Sequence, residues 1–291
     1  MMKTQCAAGC DKYIRLFEIP LSGITKEPFE IEMNCEDLLF MEAAAKKGLN
    51  SNQLKLIAII AMTVDHLAWV IWPGYQTQWW QLALHCIGRI TAPTMWFFVA
   101  EGYHYTHSFK KYALRLLAFA VISHFAYNFA FGIPFIPFTT TAFNQTSVIW
   151  SLFWGLILLK VNGSDELATW QKISIIFIAC AVSFCSDWSC IATMAILYIG
   201  TYRGNFNKQM TWMMIWVAVY AAVYFLFINK VYAVIQLFAA LAIPLLKSYN
   251  GERGSWKGMK WLFYIYYPAH LIICGIIRLL LHGNIGIMIG S

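Results

Sequence analysis

The stretch that decides the fold is LKLIAIIAMTVDHLAWVIW, residues 54–72. Apart from Lys55 near its start and the pair Asp65-His66 further along, it is apolar throughout. A helix crossing ~30 Å of hydrocarbon needs about 20 such residues. The run is therefore read as a transmembrane helix, and Pro73-Gly74 closes it.

Working outward, further apolar runs bounded by charged or turn-forming residues predict spans near 83–103, 112–132, 146–160, 170–186, 188–202, 211–228, 231–247 and 260–281. With the first this makes about nine, within a range of eight to ten. The expected fold is all-α, a polytopic transmembrane helix bundle. Composition agrees: hydrophobic residues make up 60%, charged residues only 12%, and the mean hydropathy is +0.58. Soluble domains carry about one-quarter charged residues.

The charges are unevenly placed. Eight of the fourteen acidic residues precede Ser51, and the net charge of +7 falls on loops of the apolar part. With a cytoplasmic N-terminus, Lys46, Lys47, Lys55, Lys110, Lys111, Arg115, Lys160, Lys172, Arg203, Lys208, Lys247, Arg253, Lys257 and Lys260 all fall on inner flanks. Lys230 and Arg278 fall on the outer side. That bias is the positive-inside pattern of a multi-pass protein of the bacterial cytoplasmic membrane. No compact basic run points to nucleic acid, and the cysteines have no paired CxxC spacing for a metal.

Residues 1–52 form a polar, acidic segment read as a cytoplasmic extension, and 53–291 as the membrane domain. The first twenty residues lack the apolar core of a cleavable signal, so the first span is expected to act as its own insertion signal. Glu30 to Asn50 is predicted to form an amphipathic helix.

Ionisable side chains inside a membrane are costly and mark function or a pathway. His66 lies eleven residues after Lys55, roughly 16 Å along a helix of 1.5 Å rise. Arg89 lies about seven residues in from the outer end of the second span, roughly 10 Å. The depths match, so Asp65 is the expected partner of Arg89, and nearby Gly88 and Pro93 allow close approach or a local break. Glu101 and His104 sit near the inner end of the same span, beside Tyr103, Tyr105 and His107. His124 and Asn128 lie one helical turn apart in the outer half of the third span. His270 lies near mid-depth in the last span, where Pro268 is expected to break the helix just before it. Asp187 marks an outer turn in CSDWSC, residues 185–190. Together these predict a polar cavity between helices.

A histidine beside a carboxylate can act as a general base, with the carboxylate orienting the ring. A nearby arginine can bind phosphate or stabilise an oxyanion. There is no Gly-rich phosphate loop, HExxH or GxSxG. Direct transfer of an activated acyl group to an amine or hydroxyl deprotonated by His66 is the simplest chemistry. A transporter or channel lined by Asp65, Arg89 and His124 is the alternative, although no internal repeat is present.

LKLIAIIAMTVDH (54–66), CIGRITAPTMWFFVAEGYHYTHSFKKYALRLL (86–117), FAVISHFAYN (119–128) and FYIYYPAHLIICGIIRLLL (263–281), in this order, resemble the TraX family of pilin-acetylating membrane proteins. That family is related to the membrane acyltransferases of surface glycans, in which a basic residue, ten others and a histidine form a motif. Lys55 to His66 has this spacing. The resemblance implies transfer from cytosolic acetyl-CoA, with no metal, to a pilin subunit or surface glycan. It makes His66 the base, Asp65 its partner and Arg89 the charge-stabilising group. Charge and topology add Lys55, Lys110, Lys111 and Arg115 as contacts for CoA phosphates. Glu101, His104, His124, Asn128 and His270 are the expected substrate pocket.

Overall fold

The computed structural model describes residues 13–17, 29–33, 48–137, 139, 143–256 and 258–286. The chain divides into two units, Met1–Leu49 and Asn50–Ser291. In the first, β1 (Tyr13–Phe17) pairs antiparallel with β2 (Phe29–Met33), Tyr13 opposite Met33 and Phe17 opposite Phe29. This corrects the helix expected from Glu30. Glu-Ile-Glu-Met alternates with period two, a strand pattern, and the remainder of that expected helix up to residue 47 lies outside the described residues.

The second unit is helical. Its elements are α1 (Ser51–Ile71), α2 (Trp79–Gly88), α3 (Thr91–Tyr105), α4 (Phe109–Phe131), α5 (Val148–Asn162), α6 (Thr169–Ser183), α7 (Ser189–Thr201), α8 (Phe206–Phe227), α9 (Lys230–Leu237), a 3₁₀ turn (Phe238–Leu241), α10 (Ala242–Lys247) and α11 (Met259–His282). Among the described residues, six segments are long and apolar enough to cross a membrane: α1, α2–α3 together, α4, α8, α9–α10 together, and α11. The others, α5, α6 and α7, are apolar but only 13–15 residues long. At 1.5 Å rise they reach about 20 Å, short of the ~30 Å hydrocarbon thickness.

Local chemistry sets the helix ends. Asn50 caps α1 through a reciprocal pair: its side chain accepts from Gln53 N–H at 3.1 Å, and its own N–H donates to Gln53 Oε1 at 2.9 Å. The break between α2 and α3 at Arg89-Ile90 precedes Pro93, whose ring would clash with the carbonyl four residues back in a continuous helix. In α11, by contrast, Pro268 lies inside an uninterrupted helix, so the expected break does not occur. Membrane helices tolerate such prolines where neighbouring groups take over the freed carbonyl.

The C-terminal carbonyls of α1, α4 and α11 cluster around two side chains of α11. Arg278, itself buried, donates to the carbonyls of Ala130 (3.2 Å), Phe129 (3.2 Å), Gly283 (3.3 Å) and Ile285 (2.7 Å). His282 Nε2 donates to Val70 O at 2.9 Å. Free carbonyls at a helix end attract cations and cost several kcal/mol each in hydrocarbon if unmet. Gly132, at φ +67° after α4, leaves room for the Arg278 guanidinium; a Cβ there would sit 3.0 Å from Nη1.

Replacing Arg278 with Met should strip these caps and destabilise the bundle by roughly 2–3 kcal/mol. The expected readout is an apparent Tm in detergent lower by about 5–10 °C, with Arg278→Lys recovering part of the loss. An unchanged Tm in Arg278→Met would remove the capping role.

Candidate functional site

Asp65 and Arg89 meet as the depth argument expects. Arg89 Nη2 donates to Asp65 Oδ2 at 2.7 Å, with the two side chains 12% and 10% exposed. Close approach depends on Gly88: a Cβ at that position would lie 2.5 Å from Asp65 Cγ and 2.8 Å from Oδ1. The second carboxylate oxygen, Oδ1, is taken by His85 Nδ1 at 2.7 Å. Arg89 also donates from Nε to the His85 carbonyl (3.3 Å) and from Nη1 to Gln236 Oε1 on α9 (3.1 Å). Trp69 and Tyr232 pack against the His85 ring.

Asp65 is therefore not the partner of His66. Consecutive helical residues point about 100° apart, and His66 turns towards α11. There His66 Nδ1 lies 2.8 Å from His270 Nε2, with the two rings within 4° of parallel. His270 Nδ1 lies 3.1 Å from the Tyr266 carbonyl. A carbonyl only accepts, so Nδ1 of neutral His270 carries the proton and its Nε2 is the acceptor. His66 must then donate from Nδ1, which leaves Nε2 of His66 with an unprotonated lone pair. This relay fixes the tautomer a base needs.

Two cavities adjoin this centre. A narrow one of about 60 Å³ is lined by Asp65, His66, Arg89, Asp187, Trp188 and Gln236, among others. A wide one of about 600 Å³ is lined at its polar end by Lys55, Arg115, Arg253, Glu101 and His107. Met95, Ile149, Leu152 and Phe263 line both, so the two cavities lie side by side against a shared apolar wall, with His66 on the narrow one.

The other expected site residues sort differently. Lys55 and Arg115 line the wide cavity, and Lys55 Nζ sits 4.8 Å from the Phe98 ring centre. Lys110 and Lys111 are exposed and line neither cavity. Glu101 lines the wide cavity, but both its oxygens bind Arg203, at 2.9 and 3.3 Å. His104 reaches the Gly200 carbonyl at 3.3 Å and ties α3 to α7. His124 binds Thr146 Oγ1 (2.9 Å) and the Phe135 carbonyl (2.7 Å), and Asn128 donates to Pro134 O (2.8 Å). These last three hold backbone in place and line neither cavity. His85, Gln236 and Arg253 join the site unforeseen. His85 had a signal, since it lies four residues before Arg89 on one helical face.

The family model described as TraX protein matches residues 50–278. The chain is also similar to the probable fimbrial assembly protein FimC, serogroup H1, of Dichelobacter nodosus, at 27% identity over 231 residues, 76% of this chain and 92% of that protein. No solved structure matches.

Removing one partner of the buried pair leaves the other charge uncompensated. Asp65→Asn and Arg89→Gln should each cost about 3–5 kcal/mol. The double substitution should cost less than the two together, by at least about 1 kcal/mol. Unfolding of all four proteins in mixed micelles measures this coupling, and strict additivity would rule the pair out as an energetic unit.

Proposed function

The chain belongs to the TraX protein family, and from that premise we propose that it is an integral membrane acetyltransferase. It takes an acetyl group from cytosolic acetyl-CoA and delivers it to an amine or hydroxyl at or beyond the membrane. The fimbrial-assembly name of its relative favours a pilin-type subunit over a surface glycan as acceptor. The lysine and arginine distribution favours the bacterial cytoplasmic membrane with the N-terminal segment inside.

The observation that carries this reading is the adjacency of the two cavities, which share Met95, Ile149, Leu152 and Phe263 in their walls. A volume of about 600 Å³ is in the range of ligand sites. Lys55, Arg115 and Arg253 at its polar end suit the phosphates of CoA. The shared apolar wall suits the uncharged arm that carries the thioester, and His66 lines the narrow cavity on its other side.

The residues then act in sequence. His66 Nε2 takes the proton of the acceptor N–H or O–H as the acceptor attacks the thioester carbonyl carbon. His270 accepts from His66 Nδ1–H and so steadies the imidazolium, itself held by the Tyr266 carbonyl. Three of the five guanidinium N–H groups of Arg89 are engaged by Asp65, Gln236 and the His85 carbonyl. The remaining two are available to the oxygen that gains charge in the transition state. As that oxygen re-forms its double bond the C–S bond breaks, and the leaving thiolate takes the proton held by His66.

His66→Ala should lower acetyl transfer by 10²–10⁴-fold while acetyl-CoA still raises the Tm. His270→Leu should lower kcat by roughly 10²-fold with KM unchanged, since the ring loses the group that sets its tautomer. Arg253→Ala should raise KM for acetyl-CoA about 10-fold or more with kcat held. Saturating ligand, at 100 times Kd, stabilises a specific site by about 2.7 kcal/mol. No thermal stabilisation of the wild type by acetyl-CoA would point to the transporter reading instead.

A further inference from the structure

Between α6 and α7 the backbone does something costly. Trp188 (φ +62°) and Ser189 (φ +49°) are consecutive non-glycine residues in the left-handed region. Such conformations cost of order 1–3 kcal/mol each and persist only where the surroundings over-determine them. Here they do. Asp187 N–H donates to the Thr146 carbonyl (2.8 Å) and Gln145 N–H to the Cys185 carbonyl (2.6 Å), a parallel bridge joining two loops. Ser151 bonds both the Ser186 hydroxyl and the Ser189 carbonyl. Trp188 is clamped between Trp96 and Tyr220, with ring centres 5.1 and 4.8 Å away, and lies 5.6 Å from the Arg89 guanidinium carbon.

The product of this turn is a carboxylate, that of Asp187, on the wall of the narrow cavity shared with His66 and Arg89. One backbone N–H, that of Trp188, reaches it, and it forms no ion pair among the described residues. The cavity thus holds one guanidinium against two carboxylates, and Asp65 already neutralises Arg89. The Asp187 carboxyl thus has no ionic partner of its own in an apolar interior, where its charged form is costly until a cation comes beside it. A cation of a size to fit about 60 Å³ would balance it.

We infer that Asp187 receives the acceptor as an ammonium group and takes its first proton, which rests on the acetyltransferase reading above. An ammonium must lose two protons to become an amide nitrogen, whereas a hydroxyl loses one. Asp187 carboxylate takes one proton from R–NH₃⁺, giving R–NH₂ and the carboxylic acid. The amine lone pair then attacks the thioester carbon, His66 Nε2 takes the second N–H proton, and the C–S bond breaks. The thiolate recovers the proton from His66, and Asp187 releases its own to solvent. The net products are the acetamide, CoA thiol and one proton. Arg89, Asp65 and His66 face Asp187 from α1 and the α2–α3 break, Tyr127 from α4, Tyr220 and Tyr224 from α8, and Tyr267 from α11.

The test compares full-length wild type and Asp187→Asn in detergent, with acetyl-CoA and two probes. One probe is a short peptide with a free α-amine; the other is the same peptide with a hydroxyl in place of that amine. An α-amine titrates near 7.7–8.0, so solvent supplies the neutral amine at pH 9 and about one part in 50–100 of it at pH 6. The ratio of variant to wild-type rate on the amine peptide should therefore climb from roughly 0.01–0.02 at pH 6 to near 1 at pH 9. On the hydroxyl peptide the ratio should not depend on pH. A pH-independent ratio on the amine peptide, or an equal loss on both probes, would overturn the assignment. Asp187→Ser repeats the test with a different side chain, and misfolding of both variants would make Asp187 a structural residue and end the proposal. A wild type that turns over acetyl-CoA but acetylates no amine sinks this inference alone. A wild type that neither binds nor turns over acetyl-CoA sinks the acetyltransferase reading as well, and this inference with it.

Discussion

A carboxylate and a guanidinium 2.7 Å apart inside an apolar bundle constrain everything around them. Neither ion is tolerable there alone, and each needs its remaining donors and acceptors met. Asp65 spends one oxygen on Arg89 and the other on His85; Arg89 spends further donors on the His85 carbonyl and Gln236. To bring the two helices so close, position 88 must lack a Cβ. The second span breaks just after Arg89, where Pro93 interrupts the helix. Glycine, histidine and glutamine thus all serve one ion pair. The pair also decides what His66 does. With Asp65 fully engaged, the imidazole is governed by His270, and that partner is neutral.

Much of this was legible in the residues themselves. The length rule located the long helices, because hydrocarbon thickness and helical rise leave little freedom. The same arithmetic put Asp65 and Arg89 at one depth. Adjacency misled at Asp65-His66, because neighbours in a helix diverge and the partner of His66 is 204 residues away. His270 was visible as a mid-depth polar residue, but no local pattern could say which of several histidines would meet it. Arg253 lies in a loop between α10 and α11, where no periodicity operates. Lys110 and Lys111 are equivalent to Arg115 by charge, but they lie in the first turn of α4, and the wide cavity is lined one turn further along, at Arg115. His104, His124 and Asn128 were rightly read as unusual for a membrane and wrongly grouped with the pocket. Each meets a backbone carbonyl, that of Gly200 in α7 for His104 and those of Phe135 and Pro134 in the loop after α4 for His124 and Asn128, and a linear sequence does not display these approaches.

The three short helices belong to the same logic. By length alone, α5, α6 and α7 fall short of the hydrocarbon thickness. Irregular backbone between apolar helices this short is tolerated only where it is buried in protein or borders a cavity. The turn from Cys185 to Ser189 satisfies both conditions: it bridges to Thr146, is stitched by serine hydroxyls, and borders the narrow cavity.

The two places where helical backbone gives way, Arg89-Ile90 and Asp187-Trp188-Ser189, deliver side chains of opposite charge into the same small space. Stability alone does not account for this. A buried ion pair is often replaceable by well-packed apolar residues at no loss, two left-handed residues store strain, and 60 Å³ not occupied by side chains forfeits side-chain packing contacts. None of the three is needed for stability, and all three coincide beside a histidine whose lone pair is left free by a fixed tautomer. A bundle that needed only to hold together would have filled that space with leucine. Keeping it open, polar and beside the wide basic cavity is a cost that makes physical sense when a reacting group has to enter it.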